Sequence, residues 1–321
     1  MVGNYKLKEI NSENIDQYGK EWNSFIEQHL EGTFFHTTHH LKFLELNGRE
    51  IQSYIFLGED GQIRGIFPIV KEKFFFLERY KSPGFIGNIP FDEILPMIKK
   101  YFSKRAVYLI LNYPNYKKEP KEDKVCTFML NIEGKTLDEV WKKDLNKKSR
   151  NMIRRAEKNK LKIKISNSKK ELGNFYPLYL NKMKEFKTKP YTLESLNYLM
   201  ECWKGVYIFN VYLDEEPIAG GTMILYKDMI TSQLAASNPD YLSYAPNNFL
   251  YWKMIEFAFE KNCKLVNYGP SLLNDSVAKF KRSMGGKAVP YEENVILNQF
   301  LYRLLQIGYT PLSRLKKFFH R

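Results

Sequence analysis

The sequence predicts an α/β protein with mixed sheets, made of two tandem copies of one domain and followed by a short helical tail. Three observations support this. Leu57 to Gly65 and Leu213 to Gly220 share a pattern in which an apolar strand meets an acidic turn and Ile-x-Gly opens the returning strand. Gly65 and Gly220 lie 155 positions apart, almost half of the 321 residues. With 44% hydrophobic and 15% aromatic residues, each half can bury a core of its own. Finally, Ser237 to Gly286 reads as strand end, loop, helix, strand and second helix, with polar residues gathered at one end of the sheet. In open α/β folds that end, beside a helix N-terminus, is where anionic ligands bind.

The first copy is expected to open with helical segments over Ile15 to Leu46, where Trp22, Phe25, Ile26 and Leu30 recur at helical spacing. A hairpin over 51–77 follows, and Pro83, Gly84, Gly87 and Pro90 mark a loop. Then come a helix from Phe91 to Phe102 and strands Val107 to Leu111 and Cys126 to Ile132, joined by the polar, exposed stretch Tyr113 to Asp123.

The second copy begins near Thr136 with a basic helix, Asp144 to Asn159. It continues with strand Lys162 to Ile165, helices Leu172 to Lys187 and Leu193 to Trp203, and a meander from Val206 to Ala236. The Ser237 to Gly286 segment and a last strand over Val289 to Leu297 close it. Two short amphipathic patterns broken at Pro311 form the tail. The expected boundaries are therefore 1–135, 136–298 and 299–321. The halves lack a low-complexity linker between them.

Composition excludes several classes. No apolar run approaches the ~20 residues that cross a bilayer, and MVGNYKLKEINSEN has no apolar signal core. Three separated cysteines, Cys126, Cys202 and Cys263, argue against a disulfide framework and point to a reducing cytoplasm. His36 and His40 stand at i, i+4 without further ligands nearby, so no metal site is expected. No phosphate-binding loop, nucleophile elbow or dinucleotide fingerprint occurs.

The net charge of +14 is concentrated. Lys142 to Lys164 holds eleven basic residues against Asp144 and Glu157. Lys147, Asn151, Arg154 and Lys158 share one helix face, which is a solvated surface unless an anion compensates it. Lys281, one residue after Phe280, is a cation that can stabilise developing negative charge. Pro246, Asn247 and Asn248 are helix-start residues. Ser237, Tyr241, Tyr244, Tyr268 and Ser271 lie around the same sheet end, where a tyrosine can serve as general acid; packing with a hydrogen-bonded tip is the commoner fate of a tyrosine. The tail carries Leu312, Leu315, Phe318 and Phe319 beside Arg314, Lys316, Lys317 and Arg321, a pattern suited to packing back or to an anionic membrane face.

This order of elements resembles the FemAB-like branch of the GNAT acyltransferase superfamily. The resemblance rests on the tyrosine-bearing loop, Pro246-Asn247-Asn248, the Asn267-Tyr268-Gly269 strand end, Phe280-Lys281 before Gly285-Gly286, and the K-x-x-RN-x-I-x-x-A segment over Lys147 to Ala156. It implies two GNAT-like domains and transfer of an acyl group to an amine of an amino sugar or cell-envelope precursor. Acyl-CoA is the donor favoured, with aminoacyl-tRNA as the alternative. Within it, Lys281 and Tyr268 are the catalytic candidates; Arg150, Asn151, Arg154, Asn247 and Asn248 hold donor phosphates; Ser237, Tyr241, Tyr244 and Ser271 bind substrate. The chain departs from the GNAT pattern in one place: Ser243 to Asn248 has no glycine where an amide-rich turn holds the coenzyme A pyrophosphate. A non-catalytic protein binding nucleic acid or an anionic surface through Lys142 to Lys164 is the reading from another class.

Overall fold

A computed structural model describes residues 5–74, 77–122 and 124–306. Its contacts divide the chain into two units. One comprises residues 1–113 and 292–321, the other 114–291.

The first unit opens with β1 (Lys6–Ile10), α1 (Ile15–Gln28) and α2 (Thr38–Leu46), with a 3₁₀ turn at Phe34–His36 between the helices. Ile15, Trp22 and Ile26 fall on one buried stripe of α1, as their spacing requires. Strands β2 (Glu50–Ile51), β3 (Ser53–Leu57), β4 (Ile63–Phe67), β5 (Val70–Phe74), β6 (Leu77–Ser82) and β7 (Ile86–Gly87) precede α3 (Phe91–Lys99) and β8 (Ala106–Asn112). Pro68 interrupts what would be one long strand, because it offers no N–H to a ladder. The Ser53 hydroxyl closes the gap, accepting from Ile69 N at 2.8 Å and donating to Ile69 O at 2.9 Å. The result is two sheets, β1-β3-β4-β7 and a five-stranded one containing β8-β6-β5-β2.

The second unit starts with β9 (Val125–Asn131), a helical turn α4 (Leu137–Glu139) running into a π turn at Val140–Asp144, then α5 (Lys147–Lys158) and β10 (Lys162–Ser166). Helices α6 (Lys169–Glu185) and α7 (Leu193–Cys202) and strands β11 (Val206–Leu213), β12 (Glu216–Tyr226) and β13 (Met229–Ser237) follow. A 3₁₀ segment (Pro239–Tyr244) leads into α8 (Pro246–Glu260), β14 (Leu265–Leu272), α9 (Ser276–Ser283) and β15 (Lys287–Pro290). The seven strands pair in the order β10-β11-β12-β13-β14-β9-β15. Helix α8 buries residues on every side, including Phe249, Leu250, Trp252, Met254 and Ile255, because it lies between the sheet and α5.

The duplication holds element by element. The starts of β1 and β10, α1 and α6, α2 and α7, and α3 and α8 lie 154 to 156 residues apart. In place of the one continuous β12, the first unit has the interrupted pair β4 and β5. Helices α5 and α9 have no counterpart among the described residues of the first unit.

Two boundaries differ from expectation. β9 was assigned by sequence to the first copy, with a division at residue 135; it instead pairs with β14 and β15, and Cys126, Phe128 and Leu130 are buried in the second unit's core. The single strand expected over Val289 to Leu297 is split at Tyr291. Its first half, β15, stays in the second unit, while β16 (Glu292–Ile296) pairs with β8 in the first. The alternation of a short strand specifies a buried face but not a partner, so this exchange was invisible. The tail is not a separate part where it is described: α10 (Gln299–Gln306) lays Leu301 and Tyr302 on Leu77, Val107, Tyr108 and Ile110. The second amphipathic pattern, after Pro311, lies outside the described residues. Helix α5 also starts later than expected, at Lys147, because Asn146 caps it by accepting from Ser149 N at 2.7 Å.

Candidate active site

The site forms where β13 and β14 stop pairing. These parallel neighbours are in register only over Met229, Ile230 and Thr231 with Leu265, Val266 and Asn267. β13 then runs on to Ser237 and β14 to Leu272 without further pairing to each other. Two facing strand edges thus keep unmatched main-chain donors and acceptors, as a bound chain-like ligand requires. In the first unit the corresponding pair, β6 and β8, shifts by one residue after Glu78 but stays paired to Ser82, the last residue of β6, so no such opening exists there.

The parting has a local cause. Between Asn267 and Pro270 the register of β14 with β9 shifts, and Gly269 takes a φ of +75°. A side chain at Gly269 would be strained there and would come within 3.0 Å of Ser232 O. Asn267 holds the bulge. Its Oδ1 accepts from Thr127 Oγ1 at 2.7 Å and from Gly269 N at 2.9 Å.

Lys281 closes over the same bulge. Only 4% exposed, its ammonium donates to Gly269 O at 2.9 Å and Pro270 O at 3.0 Å. Burial pulls its pKa down to about 8, partly opposed by Asp275. Asp275 also caps α9, accepting from Ala278 N at 2.6 Å.

Tyr268 is placed differently from expectation. Its hydroxyl donates to Met284 O at 2.8 Å, and burial raises its pKa well above the ordinary tyrosine value. A sealed hydroxyl already spent on a carbonyl is a packing anchor, not a general acid. Ser271 Oγ, by contrast, is buried without a hydrogen-bond partner among the described residues.

At the mouth, α8 begins without a side-chain cap. Ala245 adopts the left-handed conformation, φ +60°, so an alanine makes the turn for which the sequence offers no glycine. Pro246 occupies the first helical position, and the N–H groups of Asn247 and Asn248 receive no capping side chain. The side chain of Asn247 donates to Ser237 Oγ at 3.1 Å, and that of Asn248 points to Met284 Sδ at 3.7 Å. Tyr241 donates to Glu216 at 2.6 Å, and its ring lies 6.0 Å from that of Tyr244. Ser237, Tyr241, Tyr244, Asn247 and Asn248 therefore lie at one sheet end, tied partly to one another and partly to Glu216 and Met284.

Helix α5 packs against α8 and the 3₁₀ segment before it, which brings the basic face beside this mouth. Its residues divide by role. Arg150 donates to the carbonyls of Trp141, Lys142 and Leu145 at 3.2, 3.2 and 2.5 Å, so its charge is spent on ending the π turn rather than waiting for a phosphate. Asn151 and Arg154 are exposed, 3.4 Å apart, and the Arg154 guanidinium lies 5.3 Å from the Trp141 ring.

Sequence reading missed Asn267 and Thr127 as part of the site. A signal existed: an asparagine inside the apolar run LVNYG must find partners when buried. The residues at the mouth fit a phosphate-bearing donor through two uncapped amides and the exposed cations of α5. They depart from a coenzyme A site in lacking the run of glycine amides. Among the described residues no cluster of His, Cys, Asp and Glu is placed to hold a metal. None of the described helices is long and apolar enough to cross a membrane.

A parted parallel pair opening beside an uncapped helix, in a duplicated mixed-sheet architecture, is the fold of tandem GNAT proteins. Residues 143–282 match the family described as acetyltransferase (GNAT) domain. The fold is shared with FemX at a TM-score of 0.69 and 14% identity, covering 93% of this chain and 99% of that one. A tandem GNAT protein from the clavulanic acid biosynthesis pathway gives 0.55 at 6% identity, covering 91% and 99% respectively. L-PGS from Bacillus licheniformis gives 0.54 at 12%, covering 87% and 92%. No curated protein sequence matches the chain.

Proposed function

We propose that the protein transfers an acyl group from an activated, phosphate-bearing carrier to an amine of an amino sugar or cell-envelope precursor. The observation that carries this is the opening between β13 and β14, flanked at its mouth by the uncapped start of α8. The carrier's phosphates meet the free amides and helix dipole of α8. Its extended arm takes up the unmatched edges of β13 and β14, much as an added strand does. The acceptor amine attacks the acyl carbon held there. Proximity supplies much of the rate, and fixed donors stabilise the developing oxyanion. Lys281 keeps the bulge in shape through Gly269 and Pro270 and places a buried positive charge beside it.

An acyl-CoA is the donor of this reading. The exposed basic face of α5, with Arg154 stacked on Trp141, favours a second one in which the carrier is an aminoacyl-tRNA. A thermal-shift series with acetyl-CoA, longer acyl-CoAs, and aminoacylated and deacylated tRNA at two salt concentrations separates them. Stabilisation by one acyl-CoA at both salts supports the first donor. A response that needs the aminoacyl group supports the second. Salt-sensitive stabilisation by any polyanion and by nothing else overturns both, in favour of a non-catalytic binder.

A further inference from the structure

We propose that Asn267 is a catalytic residue whose side-chain amide donates to the carbonyl oxygen of the transferred group as that oxygen becomes an oxyanion. The inference rests on the acyl-transfer reading above and assigns a role within the same site.

Three features of Asn267 converge. It is half of the last matched pair, Thr231 with Asn267, so it stands at the apex of the opening. It is 5% exposed and held in one orientation. Gly269 N–H can only donate, so the atom facing it is the amide oxygen, and the Thr127 hydroxyl donates to that same oxygen. The Nδ2 group is thereby turned away with both hydrogens uncommitted. It has no hydrogen-bond partner among the described residues.

The Nδ2 atom is not sealed off as Ser271 Oγ is, so a ligand can reach it while the rest of the side chain stays buried and fixed. Ser271 Oγ, four residues along the same strand, is buried and has no hydrogen-bond partner among the described residues. Both leftover groups lie on β14 at or past the point where β13 leaves it, which is where the acyl end of a donor arrives. A rigid amide at that point of the strand meets the requirement for oxyanion stabilisation: a donor fixed before the charge appears.

In the step itself, the acceptor's amine nitrogen attacks the acyl carbon. A C–N bond forms, and the carbonyl π pair moves onto oxygen, where Asn267 Nδ2 donates to it. As the tetrahedral centre collapses, the carbon–sulfur bond of a thioester or the carbon–oxygen bond of an ester breaks. The proton released by the amine nitrogen ends on the departing thiolate or alkoxide.

Asn267→Asp tests this, because aspartate keeps both accepted hydrogen bonds while it loses the donors and sets a negative charge where the oxyanion would form. The full chain is assayed with acetyl-CoA in one arm and alanyl-tRNA in the other, against glucosamine and a lysine-containing pentapeptide as amines. With the donor that the wild type uses, Asn267→Asp is expected to lower kcat about 100- to 1,000-fold, with KM changed only a few-fold. Thr127→Val, which frees the amide from its orienting partner, lowers kcat about tenfold and covers the case in which the aspartate variant does not fold. A folded Asn267→Asp protein with at least half of wild-type kcat overturns the role of Asn267 and leaves the acyl-transfer reading standing. A wild type inactive in every arm takes both down.

Discussion

Ser149 Oγ donates to Ser283 Oγ at 2.8 Å, joining the first turn of the basic helix α5 to the last residue of the lysine-bearing helix α9. Ser283 passes the bond on to Phe280 O at 2.6 Å, and its own carbonyl accepts from Asn146 N at 3.1 Å. The two helices without a counterpart among the first unit's described residues are thus fastened to each other. A double-mutant cycle of Ser149→Ala and Ser283→Ala is expected to show a coupling of ~0.5–1.5 kcal/mol in urea unfolding. A coupling of zero would mean that the two helices hold their places independently.

The arginines of α5 are expected to separate by assay. Arg150→Ala leaves up to three carbonyls without a donor and should cost ~1–3 kcal/mol in stability. Arg154→Ala should stay within ~0.5 kcal/mol of wild type in stability while weakening donor binding, most visibly at low salt. Equal effects of both on stability would place Arg154 in the fold rather than at the site.

Lys281 makes a pH prediction whose sign follows from its burial. Its pKa falls on folding from 10.5 to about 8, so between those values the unfolded chain binds the extra proton. Stability therefore rises with pH across that window, by roughly 3 kcal/mol in all. At neutral pH the buried charge is a cost that Lys281→Met removes, at the expense of the contacts to Gly269 and Pro270. If the charge serves turnover, kcat of the wild type declines as pH passes about 8, and the methionine variant, slower throughout, lacks that limb. Stability profiles of wild type and variant that run parallel from pH 7 to 10 would exclude this account.

Ala245 carries the left-handed turn before α8 at φ +60°. An L-residue there is strained by about 1–2 kcal/mol, and glycine relieves this while costing ~0.5–1 kcal/mol of chain entropy. Ala245→Gly is expected to stabilise by up to about 1 kcal/mol. Thermal melts check it; a clear loss of stability would show that the alanine methyl is held by packing worth more than the strain.

Much of the fold is written in local pattern. The paired turns before Gly65 and Gly220 announce the duplication, and the Pro246-Asn247-Asn248 start of α8 is read from helix-start chemistry alone. What the sequence conceals depends on partners distant along the chain. Nothing in Cys126 to Ile132 says that its strand belongs beside β14, and nothing in Arg150 reveals that three carbonyls wait for it. Tyr268 and Lys281 are neighbours in the site, yet one is sealed into packing and the other holds a bulge. Asn267 was the most legible of the overlooked residues, being polar within an apolar strand.

The return of β16 to the first unit carries a cost during synthesis. Tyr113 and Glu293, which meet at 3.2 Å where β8 ends, are 180 residues apart in the chain. A ribosome therefore completes the whole second unit while the outer edge of β8 still lacks its neighbour, and an unpaired edge is an invitation to other chains. Solubility in the cell thus depends on how fast the last strand arrives as well as on how stable the finished protein is.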